Sequence, residues 1–457
     1  MGGGKTIPGF PCANPTTSYW QTTPHRIANH RTSEDMPTSH VFDYIIIGSG
    51  ISGAATAYKL LSGNPSLSVL MLEARKAASG ASGRNGGHCR AGWWLGFTQY
   101  VDAFGEDEAL RFERLEEENV RDIAAFVKEH NVDCDFQDVE TADVFVEQEK
   151  WKKVLATVEA REEVRQRRVD AMPLTQRKVW HGEEAQNRLG MRNIVGAVTY
   201  PAHTQNPYLL VCRMLELCLE KGLNLQTNTP ALAVRQVLEP SSAGCRWHVT
   251  TDRGNVCTRT VVLATNGYTN ALLPDLAATE FLRPARSQVT AIRPGTNIAN
   301  NPALRRSAGL DIGRGDYFMS QAPGSRGEGD IIWGGGRSAS DRPEDANTTD
   351  DTVVNPEIAE YLHHAGAQFF GRAAWGDEGD VMMDWSGITC YTPDTFPLVG
   401  EMPGSKGLWA SVGMNGHGMA MAFRSAEALV HMMISGKEPE WFPRAFRIAR
   451  AWSGEER

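Results

Sequence analysis

The sequence predicts an α/β chain of two interleaved domains, one on a parallel sheet and one on a mainly antiparallel sheet. Three observations carry this. Tyr44-Ile45-Ile46-Ile47, Leu67 to Leu72 and Val261-Val262-Leu263-Ala264 are short apolar runs suited to buried strands, and the first two enclose a helical stretch, a βαβ start. Residues 283–340 instead hold strand-like runs separated by Gly-rich turns, the texture of an antiparallel sheet. Glycine is also clustered: 26 of the 45 lie within 48–96, 309–336 and 387–418. Without a three-residue period or Ser/Gly monotony, such clusters in apolar sequence mark backbone brought close to a ligand.

The bulk numbers set limits. A chain of 457 residues suggests two or three domains. Lys plus Arg is 46 and Asp plus Glu is 55, a net charge of −9, so nucleic acid is not an expected partner. With 41% hydrophobic and 22% charged residues the chain has ample core. Eight cysteines at irregular spacing, with no CxxC, read as reduced thiols in an intracellular, cytoplasmic protein. No signal peptide opens the chain, Tyr44 to Leu61 is too broken to span a membrane, and Glu455-Glu456-Arg457 is no peroxisomal address. The His363-His364 pair lacks a third ligand nearby, so no metal is expected. Asn347-Thr348-Thr349, a glycosylation sequon, is meaningless without secretion.

In chain order, 1–40 reads as an arm docked through Tyr19 and Trp20, without a fold of its own. Residues 41–105 form the first segment of the nucleotide-binding domain. The helices 106–130, with Leu110, Leu115, Ile123 and Phe126 on one face, and 148–169 belong to a helical part of the substrate domain, 106–195; their charges read as solvated faces. Residues 196–275 return to the first domain, through a helix capped by Asn206-Pro207 and ended by Gly222, and a hairpin of Trp247–Thr251 with Val256–Thr260. Residues 276–383 are the substrate domain, with a helix at Asn355–Gly371. Residues 384–436 close the first domain through a strand at Leu408–Val412 and a helix to Gly436, and 437–457 are a tail.

Gly48-Ser49-Gly50-Ile51-Ser52-Gly53 is a GxGxxG set between a strand and a helix, the dinucleotide signature of a Rossmann-like domain. Gly48 permits the tight turn, Gly50 the approach of a pyrophosphate, and Gly53 close helix–strand packing; the phosphates rest on the helix N-terminus. Glu73, 20 residues after Gly53, is placed to accept from a ribose diol. A structural βα turn without ligand is the bland alternative.

Straight after Glu73 come Ala74-Arg75 and the run Ser79-Gly80-Ala81-Ser82-Gly83-Arg84-Asn85-Gly86-Gly87-His88. A second Gly/Ser loop is superfluous for a nicotinamide nucleotide but suits a long flavin dinucleotide, with Ser82 and Asn85 offering polar contacts. Here the sequence resembles the FAD-dependent oxidoreductases of the D-amino-acid oxidase and glycine oxidase superfamily. Gly80 to Gly87 looks most like the gamma-glutamylputrescine oxidase branch, and Ser18-Tyr19-Trp20 like fungal members. The resemblance extends over about 43–435, through Ala264-Thr265-Asn266-Gly267, Trp385-Ser386-Gly387 and Gly413-Met414-Asn415-Gly416-His417-Gly418-Met419.

The resemblance implies a glutathione-reductase-type FAD domain with an inserted α+β substrate domain. It implies FAD contacts from the residues of these motifs and from Val234, with backbone N–H groups at the last helix start facing the flavin. Asp316-Tyr317-Phe318 resembles the family's DYFR element, though Met319 replaces the arginine, and Trp333-Gly334-Gly335-Gly336-Arg337 looks like the strand after it. No lysine aligns with the oxygen-activating lysine of sarcosine oxidases. Gly387 takes the place of their flavin-linked cysteine, with Cys390 three residues away, which favours noncovalent FAD. His88 orients substrate, tunes or covalently binds the flavin, or is a packing histidine. His417 reads as serving its loop, and Trp93 and Trp94 as core.

The implied activity is hydride transfer from an amine-bearing carbon to flavin N5, with hydrolysis of the imine and reoxidation by molecular oxygen to hydrogen peroxide. Substrate-side candidates are His88, Tyr317, Trp333, Arg337 and Trp385. Arg337 either grips a substrate carboxylate or pairs with an acid at the domain interface. The alternatives are a 2-hydroxy-acid dehydrogenase, a flavin-bound redox sensor and a nicotinamide-dependent dehydrogenase.

Overall fold

The computed structural model describes residues 9–238, 244–299, 306–311, 316–321, 325–326, 329–376 and 379–452. The expectations for 1–8, for Gly313, Gly315, Gly324 and Gly327, and for 453–457 lie outside them.

Two sheets organise the chain. In the first, β1 (Val41–Ile47) pairs in parallel with β2 (Val69–Leu72) on one side and with Gly254–Leu263 on the other. Asn224–Gln226 and Leu408–Val412 extend the parallel set, and Leu398–Glu401 closes one edge antiparallel. Ile45, Ile46, Leu70, Met71, Val261 and Val262 are wholly buried, because both faces of this sheet are covered. The helix α1 (Ile51–Gly63) follows β1 and is apolar on nearly every side: Ala54, Ala55, Ala57, Leu60 and Leu61 pack between the helices Pro207–Glu220 and Ala422–Ser435. Asn206 caps the former through the Leu209 N–H at 3.1 Å, and Gly436 ends the latter in the left-handed conformation.

The second sheet has nine strands and is antiparallel except where Ser307–Asp311 runs parallel to Gln137–Phe145. Its order places Asp380–Tyr391, Arg283–Arg293, Ile331–Gly334 and Asp316–Ser320 on one side. Gln137–Phe145, Gly196–Thr204 and His88–Cys89 lie on the other. Two expectations change here. The segment 196–204 opens in this second sheet rather than in the nucleotide-binding domain, and Asp380–Tyr391 runs across the expected boundary at 383/384. Apolar alternation identified these strands but not the sheet each would join.

The charge runs of Glu106–Glu129 and Gln148–Arg167 are not merely solvated faces. Glu108, Glu113, Glu116, Glu117, Asn119 and Arg161 are buried, because they hold neighbouring segments: Glu113 meets Arg161 and Arg177, and Glu117 meets Arg177. Cysteine use differs too. Cys245 and Cys257 are joined as a disulfide beside the Trp247–Thr251 hairpin, their Cα atoms 5.8 Å apart. His248 lies beside them, but with the two sulfurs bonded to each other this cluster offers no thiolate to a metal. His363 instead pairs with Asp384 at 2.9 Å. Among the described residues no helix is long and apolar enough to cross a membrane.

The arm has more structure than expected. Tyr19–Gln21 forms a short 3-10 turn, Trp20 is buried, and the Trp20 indole N–H donates to the Asn85 carbonyl at 2.7 Å.

Candidate active site

A cavity of about 930 Å³ runs from the turn after β1 across the floor of the second sheet. Its first end is built from backbone. Gly48 has φ of +106°, and a Cβ there would stand 2.6 Å from the Ala264 carbonyl oxygen; a Cβ on Gly53 would stand 2.0 Å from the Gly48 carbonyl. The strand ends therefore pack to a distance that only glycine allows. Gly50 is the N-cap of α1 and has no side chain to cap it. The Ile51 N–H is met by Ser82 Oγ at 2.8 Å, so the loop 79–87 is fastened to the helix start. Glu73 lines the cavity, accepting from the Ser49 N–H and hydroxyl at 3.0 and 2.6 Å and from the Arg75 N–H at 2.9 Å.

Several polar residues read as ligand contacts also hold this end together. Asn85 donates to the Ala81 and Ser82 carbonyls and accepts from the Gly87 N–H. Arg75 pairs with Asp351 at 2.9 Å. Arg84 is buried and donates to the carbonyls of Ser79, Ser386 and Thr16. Burial lowers its pKa to about 10, with Asp351 opposing and Arg75 assisting the drop. Asn266 accepts from the N–H groups of Gly413 and Met414, which brings the closing loop to the turn after Gly254–Leu263.

The helix start near this loop is already satisfied: Asn119 Oδ1 accepts from the Phe423 and Arg424 N–H groups. The Gly416–Met419 loop ahead of that helix lines the cavity. His417 lines the cavity and stands 2.7 Å from the buried carboxylate of Glu116, which also accepts from the Gly92 and Trp93 N–H groups. Sequence reasoning missed Glu116 and Asn119, because nothing marks which members of a charge-rich helix turn inward.

The other end is built from side chains. Tyr317 packs against His88, ring centroids 4.9 Å apart, and fits between two glycines: a Cβ on Gly86 or Gly334 would lie 2.1 Å from its ring. Gly334 therefore makes room for Tyr317. Burial, helped by Arg90 and His417, pushes the His88 pKa well below the ordinary histidine value, and its Nδ1 is buried without a hydrogen-bond partner among the described residues. Arg90, unforeseen in the sequence, lines the cavity and pairs with Asp143 at 2.5 Å, while the Tyr200 hydroxyl donates to the same carboxylate. Arg337 donates to the Ser287 and Thr389 hydroxyls at 3.1 and 3.3 Å and lies over the Tyr391 ring. Among the described residues it meets no carboxylate.

Of the five substrate-side candidates, His88, Tyr317 and Arg337 line the cavity and the two tryptophans do not. Trp333 is fully buried on the opposite face of its strand, against Phe318 and Phe369. Trp385 is fully buried too; its indole N–H donates to the Arg84 carbonyl, and it stacks on Tyr19. Among the expected cofactor contacts, Gly53, Ser79, Gly87, Val234, Gly267 and Gly413 stand behind the wall. Gly267 lies against Ile388, and Ala231, not Val234, faces the cavity from the outer hairpin strand. Cys390 is buried in the core, where desolvation pushes its thiol pKa up to about 12.

The parallel sheet, the glycine turn and the acidic residue at the end of β2 define a dinucleotide-binding oxidoreductase. A cradle that Cβ atoms would fill, a helix start whose N-cap is a glycine and Glu73 all fit the adenosine and pyrophosphate parts of FAD. Residues 43–432 match the family model described as "FAD dependent oxidoreductase", and the chain belongs to that family. It is 24% identical over 267 residues to "Probable oxidoreductase OrdL" of Haemophilus influenzae, covering 55% of this chain and 56% of that protein. It is 28% identical over 147 residues to "Gamma-glutamylputrescine oxidoreductase" of Escherichia coli, covering 30% and 33%. The chain thus spans about half or less of the length of these two curated relatives. The solved glycine oxidase of Geobacillus kaustophilus has the same fold, with a TM-score of 0.68 at 18% identity, covering 90% of this chain and 99% of that one.

Proposed function

We propose that this FAD-dependent oxidoreductase oxidises the carbon–nitrogen bond of a small amine that carries a carboxylate, an amino acid or a close derivative. The observation that carries this reading is Arg337. The cavity's other arginines have their partners: Arg75 has Asp351, Arg90 has Asp143, and Arg84 has three carbonyls. Arg337 keeps a guanidinium edge for a planar anion, which it can bind in bidentate fashion.

Bound FAD supplies the acceptor for two electrons, as a hydride from the amine-bearing carbon. This chain orients that carbon. Tyr317 provides an aromatic wall held by Gly86 and Gly334, and Arg337 fixes the carboxylate. The cavity wall of His88 and Tyr317, poor in water, favours the uncharged amine, whose nitrogen lone pair then assists hydride departure. Water adds to the released imine, giving a carbonyl compound and ammonia or an amine. Within the family, Gly80 to Gly87 supports the gamma-glutamylputrescine oxidase-like branch.

The test is anaerobic mixing of the flavoprotein with D- and L-amino acids, N-methyl amino acids, primary amines and 2-hydroxy acids. Amino acids are expected to bleach the flavin with release of ammonia or amine, and readmitted air shows whether oxygen restores the colour. Bleaching by hydroxy acids alone would overturn the proposal.

A further inference from the structure

The N-terminal segment borders the cavity through Phe10 and Pro11, and its hydrogen bonds fall on the loop and arginines that would hold the cofactor. Ser18 Oγ and Gln21 Nε2 donate to the Gly83 carbonyl at 2.7 and 2.8 Å, and Trp20 Nε1 to Asn85. The buried guanidinium of Arg84 donates to the Thr16 carbonyl at 2.7 Å, and that of Arg75 to the Cys12 carbonyl at 3.3 Å. The Thr16 N–H donates to the carbonyl of Asp351, the partner of Arg75, at 2.8 Å, and the Tyr19 hydroxyl donates to Asp330 at 2.7 Å. With the Ser386 N–H donating to Thr16 Oγ1 at 3.0 Å, residues 16–21 tie the glycine/serine loop to the strand Asp380–Tyr391 of the second sheet. Ahead of them Phe10 and Pro11 line the cavity itself, and Phe10 keeps 40% of its surface exposed at the rim. An aromatic side chain left open in the cavity wall, two residues ahead of the Cys12 carbonyl that Arg75 meets, offers a face for a planar aromatic group.

We propose that Phe10 and Pro11 are cofactor-binding residues, and that the segment from Gly9 to Gln21 is a clasp that retains FAD. It rests on the reading that this cavity holds FAD. Hydrogen bonds to Gly83, Asn85, Arg84, Arg75, Asp351 and Asp330 fasten the clasp beside the cavity, so the cofactor leaves only when the segment detaches. The adenosine end is therefore held by an element outside the nucleotide-binding sheet.

Two experiments on the full-length flavoprotein test this. In the first, release of FAD after dilution is followed by the rise in free-flavin fluorescence, for the wild type and for the double substitution Phe10→Ala/Pro11→Gly. Phe10 is exposed enough for the change to leave folding intact. Release is expected to accelerate about tenfold or more; a rate within about twofold of the wild type would overturn the clasp. In the second, hydrogen exchange is compared with and without FAD. Slowed exchange is expected both at 12–18 and at 48–53. Slowing at 48–53 alone refutes the clasp and leaves the cavity as the FAD site. Slowing at neither place refutes the cofactor site together with the clasp.

Discussion

The two ends of the cavity are made differently. The Glu73 end is assembled from backbone: turns brought together at distances that exclude a Cβ, with a helix start behind them. The Arg337 end is assembled from side chains standing on a sheet, where adjacent residues face opposite ways. A backbone site constrains residue type at fixed spacing. A side-chain site depends on strand register, which a single sequence does not display.

Trp333 and Gly334 show the consequence. They are neighbours in one strand, yet Trp333 enters the core against Phe369 while Gly334 receives the ring of Tyr317. The GxGxxG turn, the acid after β2 and the order of the family motifs were legible because backbone geometry demands them. Trp333 and Trp385 suit a substrate pocket and a buried core equally well by residue type, and both are buried outside the cavity lining. The inward carboxylates of Glu106–Glu129, and the second-sheet membership of Gly196–Thr204, were invisible because both depend on contacts distant in sequence.

The contrast can be broken at either end. At the backbone end, Gly53→Ala should act most severely, since the new methyl meets the Gly48 carbonyl. We expect the purified protein to lack visible flavin absorbance and to melt at a markedly lower temperature. At the other end, Trp333→Ala should cost about 3–5 kcal/mol of stability in denaturant titration while leaving KM of the surviving folded enzyme near wild type. Its neighbour should affect stability and turnover together. Gly334→Ala should cost about 1–3 kcal/mol through overpacking and should impair turnover, with stability recovered in Gly334→Ala/Tyr317→Ala; no recovery would mean that Tyr317 is not what Gly334 accommodates.

The second sheet, which carries His88 and His203, should also be sensitive to acid. Burial, with Lys128 adding to it, pushes the His203 pKa down to about 3, and burial lowers that of His88 in the same direction. A depressed histidine pKa stabilises the fold above the unfolded-state value, and that stability is lost as pH falls below it. His203 alone should cost about 2 kcal/mol between pH 7 and pH 5. Thermal melts across that range should flatten in His203→Gln, and an unchanged slope would assign the acid sensitivity elsewhere.

The smallest expected change is also the most informative. Arg337→Ala should leave the melting temperature close to wild type, because this side chain is exposed and meets no carboxylate among the described residues, yet raise KM for the substrate about tenfold. The same pairing can be read without turnover. Oxidised flavoprotein is titrated with a small carboxylate that has no amine, and the visible flavin band is followed. A saturable spectral change in the wild type that weakens by about tenfold in Arg337→Ala is the predicted result. No spectral change in the wild type, or equal affinity in both proteins, would contradict the placement of the substrate carboxylate beside the flavin at Arg337.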